Sequence, residues 1–114
     1  MALVAVTRQR GVCCEIDVKL EPASAVETAG LLKALADPTR LSILAALRAA
    51  SDPVCICDLT AAYDLSQPTI SHHMAKIRSA GLVEAEKGGI WTYYRLADPL
   101  PSRASVLLEP LLGR

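Results

Sequence analysis

Apolar residues recur along most of this chain at helical spacing, and in one stretch at strand spacing. Over residues 23–36, Ala25, Val26, Ala29, Leu32 and Leu35 return about every 3.6 positions, predicting an amphipathic helix. Over residues 38–50, Leu41, Ile43, Leu44 and Leu47 leave little polar face, which predicts a central helix. A short third helix is expected over residues 54–63. Asp64-Leu65-Ser66 then makes a tight turn, with Ser66 as N-cap of a fourth helix reaching residue 80. Ile70, Met74 and Ile77 form the inward stripe of that helix, and Gly81 stops it. The period now falls to two. Residues 83–87 alternate, Gly88-Gly89 signals a turn, and residues 90–96 alternate again with Trp91, Tyr93 and Tyr94, predicting a two-stranded hairpin. A last helix over residues 99–112 should place Leu100, Ala104, Leu107, Leu108 and Leu111 on one face. Asp37-Pro38, Asp52-Pro53 and Asp98-Pro99 each read as a helix start, because Asp caps and Pro suits the first helical position.

Five helices and a hairpin in this order predict a mainly α fold with a β wing, a winged helix-turn-helix flanked by two outer helices. Residues 1–22 show no sustained period and form an arm, leaving residues 23–114 as the folded domain. The outer helices carry more apolar face than one small core can cover. A two-fold homodimer through the first and last helices follows, with Leu107 and Leu108 in its seam.

Composition narrows the class. A length of 114 residues, 52% of them apolar, suits one domain with one core. No apolar run approaches the roughly 18–20 residues of a membrane span. Arg8 and Arg10 follow a short apolar start, the reverse of a signal peptide. The expectation is a soluble cytoplasmic protein without a membrane partner, whose four cysteines are thiols rather than disulfides. Twelve basic residues balance twelve acidic ones, so only local charge can point to a partner.

Local charge points to double-stranded DNA. Between Ser66 and Gly81 there are two cations and no acid. Ser66, Gln67, Thr69, Ser71, His72 and His73 cluster at the N-terminal part of the fourth helix, where side chains of this kind hydrogen-bond major-groove base edges. Lys76 and Arg78 further along suit phosphates, and Lys87 and Arg95 lie on the wing. Adjacent His72 and His73 point about 100° apart on a helix and cannot share an ion. No Gly-rich phosphate or oxyanion loop accompanies any Cys–His pair, so an enzyme is not expected.

The cysteines come in two pairs, Cys13-Cys14 in the arm and Cys55-Ile56-Cys57 at the third helix. Thiolates select soft or borderline ions. On a regular helix Cys55 and Cys57 would point about 200° apart, so either the turn is loosened or the arm pair completes the site.

Residues 32–44, 65–74 and 80–83, which include Asp37-Pro38-Thr39-Arg40-Leu41 and Ser66-Gln67-Pro68-Thr69-Ile70-Ser71-His72-His73, closely resemble the ArsR/SmtB family of metalloregulatory repressors, and their combination is highly specific. The likeness covers about residues 25–112. It implies a homodimeric winged-helix repressor that leaves its operator when a metal or metalloid ion binds. Cys55-Ile56-Cys57-Asp58-Leu59 is similar to the thiol box of the arsenic-sensing members, although the third box cysteine of some members falls at Thr60. Cys13-Cys14 is similar to the vicinal pair of other arsenic sensors and of the cadmium/lead branch. The resemblance thus implies As(III) or Sb(III) as inducer, with Cd(II) or Pb(II), or a redox or persulfide signal, as alternatives. Residues 99–114 contain no His, which excludes the zinc-sensing type with ligands on the last helix.

Overall fold

The computed structural model describes residues 16–17 and 19–112. Five helices and three strands follow one another as α1 (Pro22–Leu35), α2 (Pro38–Ala49), β1 (Val54–Cys55), α3 (Ile56–Tyr63), α4 (Gln67–Ser79), β2 (Val83–Gly88), β3 (Trp91–Leu96) and α5 (Ser102–Leu112). The winged helix-turn-helix order is as expected: α3 and α4 form the helix-turn-helix, and β2–β3 the wing.

Local chemistry accounts for most of the boundaries. Asp37 caps α2 by accepting the Arg40 backbone N–H at 2.9 Å. Asp64 closes α3 in the left-handed region at φ 50°, a conformation Asp tolerates better than most residues. Ser66 then caps α4, its Oγ accepting from the Thr69 N–H at 3.3 Å. At the other end Gly81 adopts φ +77°, its N–H donates to the Arg78 carbonyl at 2.9 Å, and the Leu82 N–H reaches back to Ile77 at 3.1 Å. That is the Schellman closure, and its usual apolar contact is supplied by Ile77 and Leu82, both fully buried.

Several expectations need correcting. The third helix does not start at residue 54: Val54 and Cys55 form a short strand that pairs antiparallel with β3, Val54 opposite Tyr94 and Cys55 opposite Tyr93. The sheet is therefore three-stranded, in the order β1-β3-β2. A pairing partner some 40 positions away decides this, which no local pattern encodes. Only the first Asp-Pro pair starts a helix; Asp52-Pro53 leads into β1, and α5 begins three residues beyond Pro99. The hairpin loop is Gly89-Ile90 rather than Gly88-Gly89, since Gly88 pairs with Trp91. Only Gly89 carries a positive φ (+65°) there, the pattern of a II′ turn.

The core forms where α2, α4 and α5 meet the sheet. Ile43, Leu44, Ile70, Met74, Ile77, Leu82 and Leu108 are fully buried, and no polar or charged residue is buried among those described. The outer helices differ from expectation. In α1 the buried residues are Leu31, Ala34 and Leu35, whereas Val26 and Leu32 are 74% and 49% exposed. In α5 Ala104 and Leu108 are buried while Val106 and Leu111 are exposed. Leu108 belongs to the protomer's own core, not to a seam on its surface. Arg103 fastens the two helices together, its Nη1 donating to the Ser24 carbonyl at 3.0 Å and to Thr28 Oγ1 at 2.6 Å. Arg48 of α2 grips Glu109 of α5 through two parallel bonds of 2.9 and 2.7 Å. Among the described residues no helix is long and apolar enough to cross a membrane.

Candidate DNA-reading helix and thiol site

Burial of Ile70, Met74 and Ile77 fixes how α4 presents its other side chains. At 100° per residue, Gln67, Ser71 and Arg78 fall on one flank, His72 and Ala75 outermost, and Thr69, His73 and Lys76 on the other flank. Gln67, Thr69, His72, Lys76 and Arg78 are exposed and Ser71 is half-buried. The Ser66 hydroxyl, which caps the helix, lies 2.9 Å from the Thr69 hydroxyl. The two cations sit in its last turn, where they also complement the helix dipole.

His73 is turned inward. Its side chain is only 14% exposed, and Nδ1 lies 3.3 Å from Arg40 Nη1 and 3.8 Å from Asp37 Oδ2. A guanidinium can only donate, so Nδ1 is the accepting nitrogen of this ring. On the wing, Lys87 is exposed near the tip, while Arg95 is paired across the strands with Glu84 at 2.8–2.9 Å. Among the described residues Lys87 has no carboxylate within ion-pair distance, whereas the Arg95 charge is neutralised by Glu84.

The thiols meet at the start of α3. Cys55 lies in β1 and is also the N-cap, so it has extended backbone (φ −70°, ψ 145°) rather than helical. The two cysteines therefore do not sit on one regular helical turn, the first of the two alternatives that their spacing left open. The Cys57 N–H donates to Cys55 Sγ at 3.3 Å, and the Cys55 N–H donates to Asp58 Oδ2 at 3.1 Å, a capping box built on sulfur. Cys55 is buried and Cys57 exposed. A hydrogen bond with Cys55, then desolvation, then the charges of Cys55 and Asp58 push the Cys57 thiol above its ordinary pKa. The pair offers two thiols to a soft ion. Among the described residues no group of three or more Cys, His, Asp or Glu converges, and Cys13 and Cys14 lie outside them.

Arg40 and Glu84 entered the site without being expected. The Arg40–His73 contact spans 33 positions and left no local signal; the Glu84–Arg95 pair follows from the Gly89-Ile90 loop, whereas the expected Gly88-Gly89 turn would have set Glu84 opposite Tyr93.

Residues 37–85 match the family model described as bacterial regulatory protein, arsR family. Over 79 residues the chain is 43% identical to the arsenical resistance operon repressor of Escherichia coli (strain K12), covering 69% of this chain and 67% of that protein. Among solved structures, HlyU from Vibrio cholerae superposes with a TM-score of 0.65 at 32% identity, covering 81% of this chain and 94% of that one. The homodimeric winged helix-turn-helix DNA-binding domain of a possible ArsR-family transcriptional regulator from Mycobacterium bovis superposes with a TM-score of 0.62 at 28% identity, covering 82% and 83%.

Proposed function

Because this chain belongs to the ArsR family of bacterial regulatory proteins, DNA-binding transcriptional repressors rather than enzymes, we propose that it is a homodimer that releases a metalloid-resistance operator when As(III) or Sb(III) binds its cysteine thiolates. The observation that carries this reading is the Cys55–Cys57 pair at the N-terminus of α3. An ion drawn to that pair acts on the first helix of the helix-turn-helix, one tight turn from the cap of α4. Trivalent arsenic favours three thiolates in a pyramid, and Cys13 or Cys14 of the arm supplies the third. The identity to an arsenical resistance operon repressor supports the choice of ion.

In this reading Gln67, Ser71 and His72 face base edges, Ser66 and Thr69 expose the helix N-terminus to a phosphate, and Lys76, Arg78 and Lys87 contact the backbone. The homodimer brings two such helices to two half-sites. Its seam is the apolar surface left exposed on α1 and α5, including Val26, Leu32, Val106 and Leu111. A ligand shifts an equilibrium only by its differential affinity, so the ion-bound protein must fit DNA worse than the free one.

The test replaces both arm cysteines with Ser. That variant should bind operator like the wild type but no longer let go at inducing arsenite, and its sulfur-to-arsenic ultraviolet charge-transfer band should weaken. Release at the wild-type arsenite concentration would remove the arm from the site. Loss of the band in Cys55→Ser or Cys57→Ser is expected as well.

A further inference from the structure

We propose that Arg40 and His73 form a positioning device that fixes the angle of α4 against the end of α1, a role that rests on α4 being the DNA-reading helix. Three helices meet at the Arg40 side chain. Its Nε donates to the Ala34 carbonyl at 2.7 Å and its Nη2 to the Lys33 carbonyl at 3.2 Å, both in the last turn of α1. Carbonyls in the last turn of a helix lack the usual i+4 donor and are met from outside it, although the Lys33 carbonyl also accepts the Ala36 N–H at 3.3 Å. The remaining nitrogen, Nη1, reaches His73 in the middle of α4 at 3.3 Å. Meanwhile the Arg40 backbone N–H is held by Asp37, so the residue is anchored in the first turn of α2.

A helix cap alone would require only the two carbonyl contacts. The third contact is what makes this a link. The apolar stripe of α4 tells the helix which side to bury, but dispersion and burial are non-directional and resist rotation or sliding of a helix weakly. A hydrogen bond to a rigid planar fork has direction as well as distance. Among the described residues, the contacts of His73 with Arg40 and Asp37 are the polar side-chain ties between α4 and another helix. They act on the flank opposite Gln67 and Ser71, so a small turn of α4 at His73 moves both across the groove floor. His73 therefore works through Arg40 rather than on a base. Because α1 also carries part of the exposed apolar surface, the same fork relates the reading helix to the proposed dimer seam.

The experiment is a double-mutant cycle on the full chain, using duplexes recovered by binding selection from a random-sequence pool, with scrambled duplexes as control. Arg40→Ala and His73→Ala should each weaken specific binding about tenfold, and the double variant should lose no more than either alone. Wild-type tolerance of a one-base-pair change in half-site separation should rise in both single variants, a readout that a general loss of stability does not move. His73→Gln, whose carboxamide oxygen can accept the Arg40 N–H, should recover most of what His73→Ala loses. Arg40→Lys keeps the charge but not the fork; it stands in where Arg40→Ala folds poorly and should show the same roughly tenfold loss of specific binding. Additive losses would overturn the proposal in favour of direct base reading by His73. So would a fall of about one in the slope of log affinity against log salt for Arg40→Ala, which marks a lost phosphate contact. Equal wild-type affinity for selected and scrambled duplexes would instead remove the DNA-reading role of α4 itself.

Discussion

Helix α4 and the outer pair α1 and α5 treat their apolar residues in opposite ways. In α4 every residue of the expected stripe, Ile70, Met74 and Ile77, is buried at 0–1% exposure. In α1 only Leu35 of the five expected positions is buried, and in α5 Leu111 continues the stripe past the end of the protomer's core. The difference teaches that periodicity locates a buried face reliably when one core makes all the demands on a helix. A helix with two apolar obligations, one inward and one outward, spreads its hydrophobic residues too widely for the pattern to choose between them. The excess on α1 and α5 is thus a statement about assembly as much as about the fold.

The largest effects should come from residues that both patterns place in one core. Ile70→Ala and Leu108→Ala should each cost about 2–5 kcal/mol in urea unfolding, through lost burial plus a residual cavity. A loss at Leu108 well under 1 kcal/mol would mean that α5 is held from outside the protomer. Leu108→Glu should unfold the chain rather than split a dimer, because it puts an unpaired charge into that core.

Val106→Glu and Val26→Glu probe the outward face. Each should keep a cooperative unfolding transition close to that of the wild type, yet sediment as a monomer at micromolar concentration and bind operator more than about tenfold less tightly. Unchanged sedimentation in both would separate the exposed apolar residues from assembly and leave them as ordinary surface.

Gln67→Ala and Ser71→Ala act on the polar side of α4 and should leave stability and ion binding alone. Fluorescence anisotropy should show a loss of about 1–3 kcal/mol of discrimination between specific and scrambled duplexes.

The smallest effect concerns a helix end whose chemistry is wholly local. The Arg40 N–H bonded to Asp37, aided by the Arg40 charge, holds the Asp37 carboxyl below its usual pKa. A group depressed in the folded state stabilises it above the unfolded pKa, and that contribution is lost as pH falls through the folded value. Asn also caps well but does not titrate. The melting temperature of the wild type should therefore exceed that of Asp37→Asn at pH 7, and the gap should close below about pH 4. A gap independent of pH would assign the difference to shape rather than charge.

What the sequence determined by itself was everything settled within a few residues: the caps at Asp37 and Ser66, the Gly81 stop, the stripe of α4, the two wing strands, and the motifs that identify the family. These depend on hydrogen bonds between positions three to five apart and on a single periodicity, so a short window of sequence contains both partners. Tertiary structure alone decided that Val54-Cys55 is a strand, that Leu108 is core while Val106 is not, and that His73 faces Arg40. Each of these rests on a partner brought in from 33 or more positions away, or on which of two apolar faces the rest of the protomer reaches. Cys55 shows both at once: its capping box with Asp58 is local, but the strand pairing that holds it off the helix comes from Tyr93, far along the chain and adjacent in the sheet.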